Sequence, residues 1–226
     1  MTIRLALAVG LVAGCGSTES GEYDPSIDPA DFVAEIDNPL WPLAVGTAWV
    51  FEGKGERIEV TVTADTKEIL GVTATVVRDT VSVDDEVIED TFDWYAQDAD
   101  GNVWYLGEDT KEYEGAEVVS TAGSWEAGVD GAKPGIVMHA TQPAAGSPYR
   151  QEYYAGEAED MAEVVSLDES VTVSYGTFDH CLKTREFTPL EPDVNEYKYY
   201  CAGVGLVLEQ AVATGDRIEL VELTPP

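Results

Sequence analysis

Positive charge is scarce in this chain. Lys and Arg together number 12 of 226 residues, against 44 Asp and Glu, for a formal net charge of −32. A field of that sign repels phosphate backbones and anionic lipid headgroups, which argues against nucleic acid as a partner and against docking of the folded surface on a membrane. The acids are spread along the chain and form no tail, so they read as a solvated outer face. Histidine is scarcer still, with only His139 and His180. The sequence holds no His-x-x-x-His or His-Glu-x-x-His pair for zinc, no Cys-x-x-Cys, and no Gly-x-Ser-x-Gly elbow, so metal hydrolysis, dithiol redox chemistry and a Ser-His-Asp triad lack their usual marks, and no cofactor is expected. No apolar run is long enough to cross a membrane as a helix. No window of eleven or more residues keeps a period of 3.6, and no fixed-length repeat recurs, which disfavours helical bundles, propellers and solenoids.

What is present begins with MTIRLALAVGLVAGC. One early cation, Arg4, precedes a short apolar run over residues 5–13, the pattern of a secretory signal. Val12-Ala13-Gly14-Cys15 resembles the bacterial lipobox, which implies cleavage before Cys15 and acylation of its thiol. The following GSTESGE is small and polar, as a tether between lipid and domain should be. The expected organisation is a signal peptide at 1–14, a lipidated Cys15 with tether and lead-in to residue 40, and one β-rich domain over 41–226. That places the protein in the bacterial cell envelope, on the outside of the cytoplasmic membrane or in the outer membrane, held there only through the lipid.

With Cys15 acylated, Cys181 and Cys201 remain of the three cysteines. An exported compartment permits a disulfide. Between them, Pro189-Leu190-Glu191-Pro192-Asp193 is a turn cluster centred midway. Two strands folded about it bring the cysteines opposite each other, within the ~4.4–6.8 Å Cα separation that a bridge requires. A metal pair would want further Cys or His ligands, and His180 alone stands beside either thiol.

From Trp49 onward the period is two. ERIEVTVTAD sets Ile58, Val60 and Val62 on one face, TATVVRDTVSV is rich in β-branched residues, and Asp84-Asp85 make a hairpin tip. Ile88, Phe92 and Trp94 continue an apolar alternation, and further strands are expected near 147–154, 160–166, 170–175, 179–188, 195–201, 204–212 and 216–222. The Gly-rich stretch 123–135 reads as a long loop, and residues 23–42, with Pro25, Pro29, Pro39 and Pro42, as an ordered lead-in with at most a short helical turn. Short strands without helical crossovers predict an all-β domain: one curved antiparallel sheet, a sandwich or a barrel.

Asp98, Asp100 and Asn102 alternate in WYAQDADGNVWYLGED as in a calcium loop, and are a weak metal candidate. The glycine an EF-hand needs at its sixth place falls at the fourth, Gly101, and the flanks alternate as strands. A type I turn followed by a left-handed Gly101 fits better, and pairs Tyr95 with Tyr105 and Ala96 with Trp104. Trp94, Tyr95, Trp104, Tyr105 and Trp125, with His139 after the Gly-rich stretch, are the candidate ligand-binding set, although in a β protein most such aromatics pack the core.

DWYAQDADGNVWYLGEDTKEYEG, GSWEAGVDGAKPGI, YRQEYYAGEAEDMAEV and YKYYCAGVGLVLEQ, spread over residues 40–222, resemble an uncharacterised family of exported bacterial β-rich proteins. The resemblance implies one exported β domain and carries over no active residue. It also implies that the Cys181–Cys201 bridge is an accessory, since many relatives lack both cysteines. The expectation is a non-catalytic envelope lipoprotein that binds an unknown ligand or envelope protein through a concave aromatic face. The alternatives are a secreted carboxylate-based hydrolase, marked by two carboxyls facing each other across a cleft, and a weak calcium binder.

Overall fold

The computed structural model describes residues 23–226, so the expected signal peptide, Cys15 and most of the expected tether and lead-in before residue 23 lie outside the described residues. Antiparallel strands dominate: β1 (Phe32–Val33), β2 (Ala48–Gly53), β3 (Glu56–Ile69), β4 (Val72–Val83), β5 (Glu86–Asp98), β6 (Val103–Glu114), β7 (Glu117–Ser120), β8 (Trp125–Glu126), β9 (Lys133–Met138), β10 (Pro148–Arg150), β11 (Glu152–Tyr153), β12 (Met161–Val173), β13 (Gly176–Thr188), β14 (Glu191–Cys201), β15 (Gly205–Ala211) and β16 (Arg217–Thr224). A single 3₁₀ turn, Pro29–Asp31, is the only helical element among the described residues. Its Asp28 side chain accepts from Ala30 N, and Pro29 opens it, so the expected lead-in turn is there.

The strands form one sheet whose order runs β10, β12 to β16, β2 to β6, β9, β11. β10 and β11 are separated only by Gln151, yet they pair with opposite ends of this path, β12 and β9. The ribbon therefore returns on itself and makes a nearly closed barrel, which removes the exposed edges an open sheet would carry.

Two expected turns set the register. Gly101 N bonds Asp98 O at 2.9 Å with Gly101 at φ +91°, and the β5–β6 hairpin pairs Tyr95 with Tyr105 and Ala96 with Trp104 as predicted. Asp84 and Asp85, at φ 51° and 66°, turn β4 into β5. A bulge falls between Trp94 and Tyr95, opposite Gly107. A Cβ at Gly107 would sit 2.2 Å from Trp125 O, so only glycine lets β8 approach β6 there. β13 and β14 fold about Leu190, and Cys181 and Cys201 are joined at a Cα separation of 4.4 Å, as the midpoint of the loop predicts.

Two expectations need correction. The Gly-rich stretch 123–135 is no long loop: it contains β8 and the start of β9, short strands that Gly107 and Gly135 admit by close backbone approach. In β5 the apolar alternation of Ile88, Phe92 and Trp94 does not face the barrel interior, although Trp94 is itself buried and Phe92 packs against the core. The inward row is Glu89, Thr91, Asp93 and Tyr95, because Tyr95 stacks on Tyr105 inside at 4.9 Å. Trp94 is instead covered from outside by Lys67, whose Nζ lies 3.2 Å from the ring centroid.

Candidate functional site

Cross-strand register carries the inward row from strand to strand. Asp79 on β4 stands between Val60 of β3 and Thr91 of β5. One step along, Asp93 stands between Val77 of β4 and Glu108 of β6, and Glu108 faces Trp125 of β8. Across the barrel, Ile218, Glu209, Lys198, Thr184 and Val164 make a second row through β16, β15, β14, β13 and β12. Asp79, Asp93, Glu108, Glu152, Glu209 and Lys198 are all buried. A closed barrel has thus drawn a set of carboxylates and a lysine into its interior, where unpaired charge is costly.

Each is managed differently. Lys198 Nζ meets Glu186 at 3.0 Å, and Glu186 also accepts from Tyr200 at 2.7 Å and Thr184 at 3.0 Å. Burial would raise the Glu186 carboxyl, but Lys198 and these hydrogen bonds outweigh it and hold it below its ordinary range. Tyr105 Oη lies 2.6 Å from Asp93 and 2.8 Å from Glu108. One hydroxyl donates one hydrogen, so the phenol serves one of these two carboxyls at a time. Burial pushes Asp93 up, with the Tyr105 hydrogen bond and Lys198 pulling it back. Asp79 is raised further, by burial first and then by Asp93. Glu209 is pushed up to about 7 by burial, against the pull of Lys198, and neither of its oxygens has a hydrogen-bond donor.

Two small cavities lie in this interior and share Trp41 and Tyr95 as a common wall. The larger, about 60 Å³, is bounded by Trp41, Trp49, Phe51, Tyr95, Asp79 and Asp93, with the lead-in residues Pro42 and Leu43 beside Gly205 and Leu206 at one side. The lead-in is fixed to the barrel: Asp37 N and Asn38 N both donate to Gln97 Oε1, and Gly203 N donates to Pro39 O. Trp49 is oriented by its indole N–H on Val204 O at 2.8 Å. Asp79 is 5% exposed, and its Oδ1 has no hydrogen-bond partner. The smaller cavity, about 30 Å³, is polar, with Gln151, Glu152, Asp160, Glu186 and Lys198 in its wall.

The aromatic set expected from the sequence divides. Tyr95, Tyr105 and Trp125 meet inside, Tyr105 edge-on to Trp125 at 5.4 Å, and Trp125 Nε1 donates to Glu152 at 2.8 Å. Trp94 faces outward under Lys67, and Trp104 packs against Phe32 of β1 and donates to Asp98. His139 stacks edge-on with Tyr149 at 4.7 Å, apart from the others, and burial lowers its pKa. No open concave aromatic face joins them; the aromatic cavity is lined by Trp41, Trp49 and Phe51 around Tyr95.

At the calcium candidate, Asp98 accepts from Asn102 N, Asn102 Nδ2 and Trp104 Nε1, each at 2.8 Å, and Asn102 Oδ1 accepts from Ala140 N. These oxygens serve the hairpin. Among the described residues no group of His, Cys, Asp or Glu is placed to hold a metal ion. The cavity residues escaped sequence reasoning because acids are abundant everywhere. A finer signal existed: Asp79 falls in step with Val77 and Val81, and Glu209 with Val207, an acid on the apolar register of a strand.

The fold and site define an all-β barrel with a polar, carboxylate-rich interior. No protein-family model matches the chain, and no curated protein matches it. A solved structure, that of a candidate lipoprotein from Parabacteroides distasonis ATCC 8503, is similar at 12% identity and a TM-score of 0.38, over 83% of this chain and 99% of that one.

Proposed function

We propose that this is a lipid-anchored, non-catalytic protein of the bacterial cell envelope that holds a small ligand inside its barrel, in the cavity between Trp41, Trp49, Phe51, Tyr95 and Asp79. One observation carries the binding reading. Asp79 Oδ1 is buried at the wall of an aromatic cavity without a hydrogen-bond partner. An orphaned buried acceptor costs ~1–3 kcal/mol, a cost that a ligand group or the carboxyl's own proton offsets. The anchoring rests on Val12-Ala13-Gly14-Cys15 and the polar tether after it.

The hydrolase alternative has a specific observation in its favour, since carboxyls do converge: Asp93 and Glu108 share the Tyr105 hydroxyl. Room at that pair weighs against it. A glycosidase holds its sugar between the two carboxyls, whereas here a phenol fills that place and the two interior cavities are about 60 and 30 Å³. Ligand pockets for larger molecules run to ~300–1,000 Å³. The test is a tryptophan-fluorescence titration of the purified full chain against small cations, anions and neutral molecules, since Trp41 and Trp49 line the cavity. Saturable quenching by some member of the panel supports the reading. A flat response to every class overturns it.

A further inference from the structure

Resting on that binding reading, we propose that the ligand enters the barrel between β15 and β16, beneath the tip of the β12–β13 hairpin, and that ionisation of Glu209 loosens this entrance. The sheet is thinnest there. Among the described residues, only Leu208, Glu209 and Gln210 of β15 pair with β16, a shorter ladder than joins any other neighbours in the runs β12 to β16 and β2 to β6. From Leu220 onward β16 stays with β2. The residues flanking this parting line the larger cavity: Gly205 and Leu206 on β15, and Phe51 and Trp49 on β2, whose partners on β16 are Leu220 and Leu223. The gap in the ladder therefore stands over the cavity wall.

The hairpin tip covers this parting. Tyr175 N donates to Leu220 O at 3.0 Å, Ser174 N and Oγ donate to Glu219 Oε2 at 2.9 and 3.0 Å, and Arg217 Nη2 donates to Thr172 O at 2.7 Å. Arg217 and Glu219 alternate with the buried Ile218 and Leu220, so the clasp lies on the outer face. Ser174 and Tyr175 are exposed, and water competes for such bonds, so the tip lifts more easily than a full ladder parts. Other ways in are better secured. At the lead-in, Gln97 holds Asp37 and Asn38, while Asn38 and Pro39 bond Gly101 and Gly203. The seam at Gln151 borders the smaller, polar cavity.

Glu209 sits at the centre of the short ladder, opposite Ile218, buried, with no donor to either oxygen among the described residues. The titratable groups coupled to it are Lys198, Glu196 and Tyr200 on β14, Glu186 on β13 and Asp79 on β4. Lys198 attracts its charge but also holds Glu186 at 3.0 Å, and the three acids oppose it. As a carboxylate Glu209 needs water, and the parting of its own ladder admits it.

Two measurements on the full chain in non-ionic detergent test this. Native-state amide exchange at about pH 6 and about pH 8 reads the opening of residues 208–210, 217–219 and Tyr175. With the Glu209 carboxyl at about 7 when closed and at 4.5 when hydrated, their opening constant should rise about ten-fold between the two conditions, and far less in Glu209→Gln. No rise in the parent, or an equal rise in the variant, overturns the role of Glu209. Xenon, a single apolar atom that enters dry cavities, reports passage through its exchange rate in xenon NMR. Ser174→Cys and Glu219→Cys joined by bismaleimidoethane fasten the tip to β16, and should slow that exchange several-fold relative to the same protein before cross-linking. If xenon is excluded, the panel member that quenches most takes its place in the same comparison. Unchanged exchange overturns this entrance and leaves the binding reading standing. Absence of bound xenon together with a flat fluorescence panel overturns both.

Discussion

Glu209 offers a quantitative test of the buried-carboxylate interior. It is 2% exposed on β15, opposite Lys198 on one side and Ile218 on the other, and its oxygens find no donor. Burial raises its pKa from 4.5 to about 7, with Lys198 opposing and Glu196 and Glu186 adding to the rise. The folded protein therefore holds this proton more tightly than the unfolded chain. The stabilisation is fully present below 4.5, where both states are protonated, and is lost as pH climbs through the folded value near 7. At ~1.4 kcal/mol per pH unit the interval is worth roughly 3 kcal/mol, a sizeable part of a typical ~5–15 kcal/mol of stability. Glu209→Gln keeps the shape and cannot ionise, and Lys198 keeps Glu186 at 3.0 Å. Urea unfolding followed by tryptophan fluorescence, at about pH 5 and about pH 8, measures the effect. Between those conditions the variant should lose roughly 3 kcal/mol less than the parent, and should be the more stable of the two at the higher pH. Asp93 and Glu89 are raised with the same sign, and His139 is lowered with the opposite one, but these remain in both proteins and cancel in the difference. Asp79, which Glu209 helps to raise, is raised less in the variant, and that adds to the difference in the same direction. Identical pH dependence in parent and variant would refute the buried, unpaired state of Glu209.

Other perturbations test the frame around the site. Gly101→Ala forces a side chain to φ +91° and should cost about 1 kcal/mol or more by urea denaturation. Gly107→Ala should cost more than Gly101→Ala, because its Cβ would lie 2.2 Å from the Trp125 carbonyl; equal losses would contradict the close β6–β8 approach. Replacing Cys181 and Cys201 together by Ser should lower stability by about 3 kcal/mol, from the freed loop between them, and leave the fold intact by circular dichroism. Cys15→Ser should move the protein from the membrane fraction to the soluble fraction, and unchanged retention would sink the lipid anchor.

The hairpins were legible because turn chemistry is local. Gly101 and the Asp84-Asp85 pair each need a backbone conformation that few residues adopt, and each set a register the structure keeps. The cysteine spacing worked likewise, since one turn cluster lay midway between the thiols. Barrel closure was not legible, because it depends on two short strands about Gln151 whose partners are distant in sequence. The site was hidden for a different reason. Hydrophobic alternation assigns the apolar face to the barrel interior, but β5 turns Thr91 and Asp93 inward and puts Phe92 and Trp94 on the other face, Phe92 half-buried beside Arg78 and Trp94 buried beneath Lys67. Polar groups that pair with one another inside a barrel invert the pattern on which such inference depends.

The most direct test of the central claim, a ligand site inside the barrel, is a crystal structure of the protein grown with the small molecule that most strongly quenches its tryptophan fluorescence. That molecule should lie in the cavity, within contact of Trp41, Trp49 and Tyr95. A cavity that holds only water, with the molecule bound on the outer face or nowhere, would contradict the claim.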